Sequence, residues 1–238
     1  MNAIEVKDLS IAYRKLRRVS IKSLVSSKHS LKGEHFEAVK GVSFDVPQGQ
    51  ILGIIGRNGS GKSTLLRALA GIFAPNKGTI NTFGHSISLL SIGVGFQNKL
   101  SGRENILLSG LLLGYTEKQI RDKMDEIIEF SEVGDFIDQP VQTYSSGMYS
   151  KLAFSITAVM EPDIMLVDEV LSVGDAKFKK KSFQKMQQLI TDHTRTVVIV
   201  SHSMDTVKKL CNRVIWLNKG QIVMEGNADE VVDAYENS

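Results

Sequence analysis

The chain has very few of the residues that crosslink or interrupt a fold. It contains one cysteine, Cys211, and four prolines in 238 residues. One cysteine excludes an internal disulfide, and its apolar helical surroundings predict a buried structural thiol in a reduced, cytoplasmic setting. Because the sequence also has no low-complexity tract and no internal repeat, we expect no flexible linker and one compact unit.

Long apolar segments are also missing. No stretch approaches the ~20 apolar residues that span a bilayer, and residues 1–5 lack the basic start and apolar core of a signal peptide. We therefore expect any membrane role to need another chain or domain. The composition is 42% hydrophobic and 23% charged, with a net charge of +3, which predicts a soluble globular chain with a sizeable core.

The most informative feature that is present is a glycine-rich turn between a strand and a helix. The sequence Gly-Arg-Asn-Gly-Ser-Gly-Lys-Ser at 56–63 follows the apolar run Ile51–Ile55 and precedes a helical pattern. Glycines let backbone N–H groups point at phosphates, the helix start adds a positive dipole end, and Lys62 supplies a charge for the β and γ phosphates. Ser63 is then placed to ligate Mg²⁺. The predicted nucleotide-binding residues of this turn are Gly56, Arg57, Asn58, Gly59, Ser60, Gly61, Lys62, Ser63 and Thr64.

Two segments before this turn have the alternation of half-buried strands. Residues 4–12 and 38–46 alternate apolar with polar side chains, so we expect an antiparallel layer beside the nucleotide core. Between them, residues 14–33 contain seven basic residues and no acidic one. This basic insertion suits contact with anionic lipid, a phosphate-bearing substrate or nucleic acid, and a solvated loop is the alternative.

Beyond residue 103 the pattern becomes helical and then returns to strands. Apolar residues recur at helical spacing from 106 to 111 and from 120 to 128, with a break near 114–116, which predicts an inserted helical subdomain. Two short continuous apolar runs follow, at 164–167 and 197–200, and they are typical of buried parallel strands. Sheet and helices together predict an α/β domain.

Two adjacent carboxylates, Asp168 and Glu169, stand where the first of these strands ends. Such a pair beside a buried strand is costly unless a site uses it. We expect Asp168 to hold Mg²⁺, and Glu169 to orient and polarise the water for in-line transfer of the γ-phosphoryl group. His202 ends the next strand and opens toward the same sheet edge, where it can bind the γ-phosphate or steady the water. A histidine that merely starts a helix is the alternative.

A second anion-binding surface is predicted at residues 144–148, which read Tyr-Ser-Ser-Gly-Met before a helical pattern. The chain already has a phosphate loop at Lys62. A second such surface therefore makes sense if it covers the nucleotide of a partner chain. By itself the pentapeptide also fits a simple helix cap.

Taken together, these motifs resemble the ATP-binding cassette (ABC) superfamily nearly end to end, and they occur in that family's order. The resemblance implies an α/β fold, a P-loop NTPase core with an antiparallel β subdomain and an inserted helical subdomain, in a single ABC ATPase domain over 1–238. Its parts are the nucleotide-binding core with the β layer at about 1–98 and 162–238, the helical signature subdomain at about 99–161, and the basic insertion at 14–37.

The resemblance also implies roles for individual residues. Gln97 links Mg²⁺ and the attacking water to the helical subdomain, so it joins Glu169 and His202 as a catalytic residue. Tyr13 stacks on adenine, with an ordinary strand-end tyrosine as the alternative. The implied metal contacts are Ser63, Gln97 and Asp168. The implied contacts with the partner chain's nucleotide are Ser145, Ser146, Gly147 and Asp175.

The departures from the usual superfamily pattern indicate one branch of the ABC superfamily. The signature usually begins Leu-Ser-Gly-Gly, whereas this chain has Tyr144 in place of the leucine and Ser146 in place of the first glycine. With Gly-Arg-Glu-Asn at 102–105, this variant looks like the exporters of bacterial O-antigen, capsule and teichoic acid. That likeness implies ATP and Mg²⁺ as ligands and a head-to-tail homodimer. It also implies a separate multispanning permease, in two copies, that carries the lipid-linked glycan, with the chain at the cytoplasmic face of the membrane.

Two other functions share the same nucleotide site. A soluble ABC ATPase acting on DNA or ribosomes fits the basic insertion, but such relatives contain long coiled coils or two fused cassettes, so nucleic acid is the less favoured partner. A non-hydrolysing, nucleotide-gated adaptor fits poorly with Glu169. ATP hydrolysis that is lost in Glu169→Gln, with ATP binding retained, separates the enzyme from the adaptor.

Overall fold

The computed structural model describes residues 1–14, 35–89, 95–168, 174–192 and 195–238. Most of the predicted basic insertion and the predicted catalytic residue Glu169 lie outside these ranges.

The strands of the described residues form two sheets. Strands β2, β1 and β4 lie side by side in an antiparallel sheet. The second sheet has the order β5-β6-β7-β3-β8-β9, in which β5 to β8 are parallel and β9 pairs antiparallel at the edge. In chain order the strands are β1 (Asn2–Arg14), β2 (His35–Pro47), β3 (Ile51–Ile55), β4 (Lys77–Asn81), β5 (Ile87–Leu89), β6 (Ile164–Asp168), β7 (Thr196–Val200), β8 (Arg213–Asn218) and β9 (Gln221–Asn227).

The helices connect these strands, and three of them form a group of their own. Helices α2, α3 and α4 lie between β5 and β6 in the chain and share a separate hydrophobic cluster. In chain order the helices are α1 (Lys62–Leu69), α2 (Gly102–Leu112), α3 (Glu117–Ser131), α4 (Ser146–Met160), α5 (Ala176–Thr191), α6 (Met204–Leu210) and α7 (Ala228–Glu236). Among the residues described, none of these helices is both long and apolar enough to cross a bilayer.

Strand β3 shows how the sequence pattern produces the layers. All five of its residues are buried. Leu52 and Ile54 pack with β1, β2 and α1 on one side. Ile51 and Ile55 pack with α4, α5, α6 and α7 on the other side. Because both faces of the strand are covered, its sequence is continuously apolar rather than alternating.

The starts of the inserted helices are set by capping side chains. Ser101 and Glu104 form a reciprocal capping box at the start of α2, and Thr116 and Gln119 form another at α3. Such caps satisfy backbone N–H groups that have no partner within the helix. The break predicted near 114–116 is therefore the turn between these two helices.

The predicted fold class is confirmed, with an antiparallel layer, a largely parallel sheet and an inserted helical subdomain. One detail differs, because Leu111, counted among the apolar helical positions, is 48% exposed near the end of α2. Cys211 is a free, buried cysteine, as predicted. Burial raises the pKa of its thiol to about 12.

Candidate nucleotide site

The predicted phosphate loop lies between the end of β3 and the start of α1. Gly61 is the residue that caps α1, with a left-handed φ of 107°. A Cβ at Gly61 would overlap the backbone carbonyl oxygen of Ala38, and one at Gly56 would overlap that of Leu217. Only glycine has the conformational freedom and the missing side chain that these two positions need.

The loop opens at the edge of the sheet where the parallel strands end. Strand β7 pairs with both β3 and β6, so the segments that follow these three strands meet at one edge. Ligands of open α/β sheets bind at this carboxyl edge. One cavity at this edge is lined by Asn58, Gly59, Ser60, Gly61, Lys62, Ser63, Thr64, Asp168, Val200 and His202.

The polar groups of this cavity suit a phosphate chain. The Lys62 side chain is buried, and its ammonium donates to the carbonyl oxygens of Gly56 at 2.7 Å and Arg57 at 3.1 Å. The Ser60 hydroxyl is buried without a hydrogen-bond partner among the described residues. A helix N-terminus with a fixed cation and an unpartnered hydroxyl is an anion site, so these residues fit a nucleotide.

Tyr13 lies at the rim of the same loop. Its hydroxyl donates to the hydroxyl of Thr64 at 3.1 Å. Its ring meets Phe73 edge-on, with the ring centroids 5.8 Å apart, and the residue is 37% exposed. The ring is thus held near the start of α1 with part of its surface open, although Tyr13 is not among the residues that line the phosphate cavity.

Gln97 is exposed and lies at the base of the helical subdomain. It is not among the cavity-lining residues, so the structure does not bring it together with Lys62 and Asp168. Its backbone is held by Asn105, a fully buried side chain near the start of α2. In the sequence Asn105 stands out only as part of the segment Gly-Arg-Glu-Asn, and nothing local predicts this contact.

The predicted signature segment stands at the start of α4. Ser145 caps this helix by accepting the backbone N–H of Met148 at 3.2 Å, and Ser146 is its first residue. Tyr144 stands where the usual signature has leucine. Its hydroxyl donates a hydrogen bond to the Phe136 carbonyl at 2.7 Å, a contact that leucine cannot make. The signature segment does not line the phosphate cavity of its own chain.

Asp175 caps α5 and also pairs with α4. Its carboxylate accepts the backbone N–H of Phe178 at 2.9 Å and lies 2.7 Å from the Lys151 ammonium. The bond to Lys151, followed by the bond from Phe178, lowers the pKa of Asp175 to about 2. Lys151 was not recognised from the sequence, since a lysine within a helix has no local signal of such a contact.

Known proteins resemble this chain in sequence. A sequence profile described as ABC transporter matches residues 39–172. The chain belongs to the ABC transporter family. Among its ABC relatives, an O-antigen export system ATP-binding protein of Klebsiella pneumoniae is 45% identical over 206 residues, covering 87% of this chain and 83% of that protein.

Two further relatives are longer than this chain. The Teichoic acids export ATP-binding protein TagH of Lactococcus lactis is 49% identical over 90% of this chain and 46% of its own length. The O-antigen export system ATP-binding protein RfbB of Myxococcus xanthus is 41% identical over 99% of this chain and 56% of its own length. The chain therefore spans about half the length of these two relatives.

Solved structures show the same fold at low sequence identity. The ATP binding subunit of an ABC transporter matches with a TM-score of 0.73 and 19% identity over 98% of this chain and 93% of that chain. A dimeric ATP-binding cassette, described in a post-hydrolysis state bound to ADP and Pi, matches with a TM-score of 0.69 and 20% identity. This match covers 94% of the present chain and 98% of the dimeric cassette's chain. These likenesses establish the ABC ATPase fold.

Proposed function

We propose that this chain is the ATP-hydrolysing subunit of an exporter that moves a lipid-linked polysaccharide, such as O-antigen, capsule or teichoic acid, across the bacterial cytoplasmic membrane. The observation that supports it most is the meeting of the phosphate loop, Asp168 and His202 in one cavity. The names of the relatives, as ATP-binding proteins of O-antigen and teichoic acid export, supply the substrate class.

Within this proposal the loop residues 56–64 bind the phosphates of ATP, and Tyr13 meets the adenine. Bound Mg²⁺ would neutralise charge on the transferring phosphoryl group. Among the described residues no three acidic, histidine or cysteine side chains form a metal cluster. Mg²⁺ is usually bound by one or two carboxylates, water and substrate phosphates rather than by such a cluster. Ser63 and Asp168 line the cavity and would hold the ion there, and Gln97 is the third proposed contact, from outside that cavity.

The catalytic roles are assigned to three residues. Glu169 follows Asp168 directly in the chain and would orient and polarise the attacking water. His202 lines the cavity after β7, where it would hydrogen-bond the γ-phosphate. Gln97 would report the state of the nucleotide to the helical subdomain, because its backbone is bonded to α2 through Asn105.

The working unit in this proposal is a head-to-tail homodimer. Ser145, Ser146, Gly147 and Asp175 would contact the nucleotide held by the partner's phosphate loop. ATP would then favour the closed dimer, and loss of the γ-phosphate would remove the contacts that favour closure. Two copies of a multispanning permease would receive this motion near residues 98–109, and the chain would then lie at the cytoplasmic face of the membrane.

The enzymatic part of the proposal is tested by phosphate release. Wild-type protein should hydrolyse ATP with Mg²⁺, and Glu169→Gln should lose hydrolysis while it still binds ATP. Equal hydrolysis by the two proteins would contradict the role of Glu169. Absence of hydrolysis in the wild type, both alone and with its permease, would favour a nucleotide-gated adaptor. The relatives are named for export of O-antigen and teichoic acid and not for a role on DNA or ribosomes, so they give no support to the soluble alternative.

A further inference from the structure

Helices α4 and α5 meet through a lysine that is nearly enclosed. The side chain of Lys151, in α4, is only 13% exposed. A Cβ added at Gly174 would lie 3.0–3.2 Å from the aliphatic stem of Lys151, so the turn before α5 packs directly on that stem. The ammonium lies 2.7 Å from the Asp175 carboxylate and 5.2 Å from the centre of the Phe178 ring.

The two oxygens of the Asp175 carboxylate bond to residues of two different helices. Oδ1 accepts the Phe178 N–H and so caps α5, while Oδ2 meets the Lys151 ammonium. One carboxylate therefore sets both the start of α5 and the position of that start against α4. Because the Lys151 stem and head both contact this turn, a small displacement of the turn breaks packing and charge contacts together.

The surrounding charges strengthen the same contact. Glu132, at the end of α3, lies 3.7 Å from the Lys151 ammonium and 3.1 Å from that of Lys181 in α5. The ammonium of Lys181 also donates to the Phe130 carbonyl at 3.0 Å and lies 4.4 Å from the centre of the Phe130 ring. Residues at the end of α3 therefore contact both Lys151 in α4 and Lys181 in α5.

We propose that Lys151 is a positioning residue that holds Asp175 in register with Ser145, so that both reach the partner subunit as one surface. The inference deepens the proposed function, because it rests on these two residues facing a second copy of the chain. Lys151 is six residues beyond Ser145, or about 9 Å along the helix. It therefore acts through Asp175 and does not itself meet the nucleotide.

The other end of the same helix pair provides a matched control. The Lys185 ammonium, in α5, lies 2.9 Å from the carboxylate of Glu161, which follows the last residue of α4. Its side chain is 20% exposed, close to the value for Lys151. Lys185→Met therefore removes an ion pair with a similarly buried lysine between the same helices, ten residues along α5 from Asp175.

The first test measures position without using ATP hydrolysis. In a Cys211→Ala background, spin labels at Gln142→Cys and Lys179→Cys report the distance between the segment before α4 and the first turns of α5. We expect Lys151→Met to broaden or shift this distance distribution, and Lys151→Arg and Lys185→Met to leave it unchanged. An unchanged distribution in Lys151→Met would overturn the inference, whether or not the chain proves to be an ATPase.

The second test measures kinetics in the assembled complex with its permease. Misplacement of a site residue by about 1 Å can cost on the order of a hundredfold in rate. We expect Lys151→Met to lower kcat by about ten- to a hundredfold with KM changed less than about threefold, as expected when correct alignment is needed mainly in the transition state. Lys185→Met should keep kcat within about threefold of the wild-type value at a similar urea midpoint.

A double-mutant cycle identifies the residue through which Lys151 acts. If Lys151 works through Asp175, Asp175→Asn should lower kcat similarly, and the double variant should lose little more than either single variant. Losses that multiply, or equal kcat losses in Lys151→Met and Lys185→Met, would overturn the inference. A wild-type complex that hydrolyses no ATP would instead contradict the proposed function, and the spin-label distances would still decide the positioning role.

Discussion

The buried carboxamide of Asn105 is bonded to both backbone groups of Gln97. Its oxygen accepts the Gln97 N–H at 2.7 Å, and its nitrogen donates to the Gln97 carbonyl at 3.2 Å. The same nitrogen also donates to the carbonyl oxygens of Leu100 and Ser101. The segment that contains Gln97 is therefore attached to the first turn of α2, and we infer that displacement of Gln97 is passed to that helix.

Replacing Asn105 should destabilise the protein and weaken this attachment. Asn105→Leu removes the acceptor of the Gln97 N–H, while the carbonyl oxygens of Gln97 and Leu100 keep a backbone N–H partner each. We expect a loss of about 1–3 kcal/mol in the free energy of unfolding. Urea unfolding measures it. The control is Asn98→Leu, at an exposed position, with an expected change within about 0.5 kcal/mol. Equal stability of Asn105→Leu and the wild type would contradict the assignment.

Tyr13 should contribute to nucleotide affinity through its ring rather than its hydroxyl. Stacking of a base on an aromatic ring is worth about 1–3 kcal/mol, so Tyr13→Ala should weaken ATP binding by roughly five- to a hundredfold. Tyr13→Phe keeps the ring and loses only the bond to Thr64, so its Kd should stay within about threefold. Fluorescence titration of a labelled nucleotide measures both. Loss of affinity in Phe83→Ala, which removes another exposed ring, would show that the effect is not specific.

Cys211 should be unreactive until the protein unfolds. With a thiol pKa of about 12, the reactive thiolate makes up on the order of one part in ten thousand at pH 8. Burial disfavours the charged thiolate and so raises the pKa of the Cys211 thiol. Because the thiolate fraction grows with pH, alkylation should become faster as the pH rises. The measurement compares alkylation in buffer with alkylation in denaturing urea. Rapid labelling of the folded protein at pH 8 would contradict the buried position.

The basic insertion gives a prediction that concerns transport rather than catalysis. Its residues Arg17, Arg18 and Lys22 lie outside the described part of the chain, so the prediction rests on sequence. If they meet an anionic headgroup or substrate, neutralising all three should lower export more than basal ATP hydrolysis. Export and hydrolysis are measured in parallel. Equal export at an unchanged protein level would remove the proposal and favour a solvated loop.

Contiguous patterns could be predicted from the sequence, because their physical cause is local. The phosphate loop needs glycine at Gly56 and Gly61 for steric reasons that leave a recognisable motif. The buried strands and the helix caps are likewise visible in neighbouring residues. The chemistry of the cavity could be anticipated for Asp168 and His202, since parallel strands end at one edge of a sheet.

Contacts between distant residues could not be predicted in the same way. The hydroxyl groups of Tyr13 and Thr64 meet across 51 residues of sequence. Lys151 and Asp175 meet because α4 and α5 pack together, and neither residue differs locally from a solvated charge or an ordinary cap. Leu111 also fits the apolar helical pattern, yet it is exposed near the end of α2. Periodicity alone does not show which part of a helix is packed against the rest of the protein.

Capture of an ATP-locked complex tests whether this chain drives export of a lipid-linked glycan. Glu169→Gln protein is purified from membranes with ATP, and the retained chains and lipids are identified by mass spectrometry, with ATP-free capture as the control. We expect a multispanning permease and a polyprenyl-linked polymer to be retained with ATP. Recovery of ribosomal or DNA-repair partners in their place would contradict the exporter assignment and leave only the ATPase proposal.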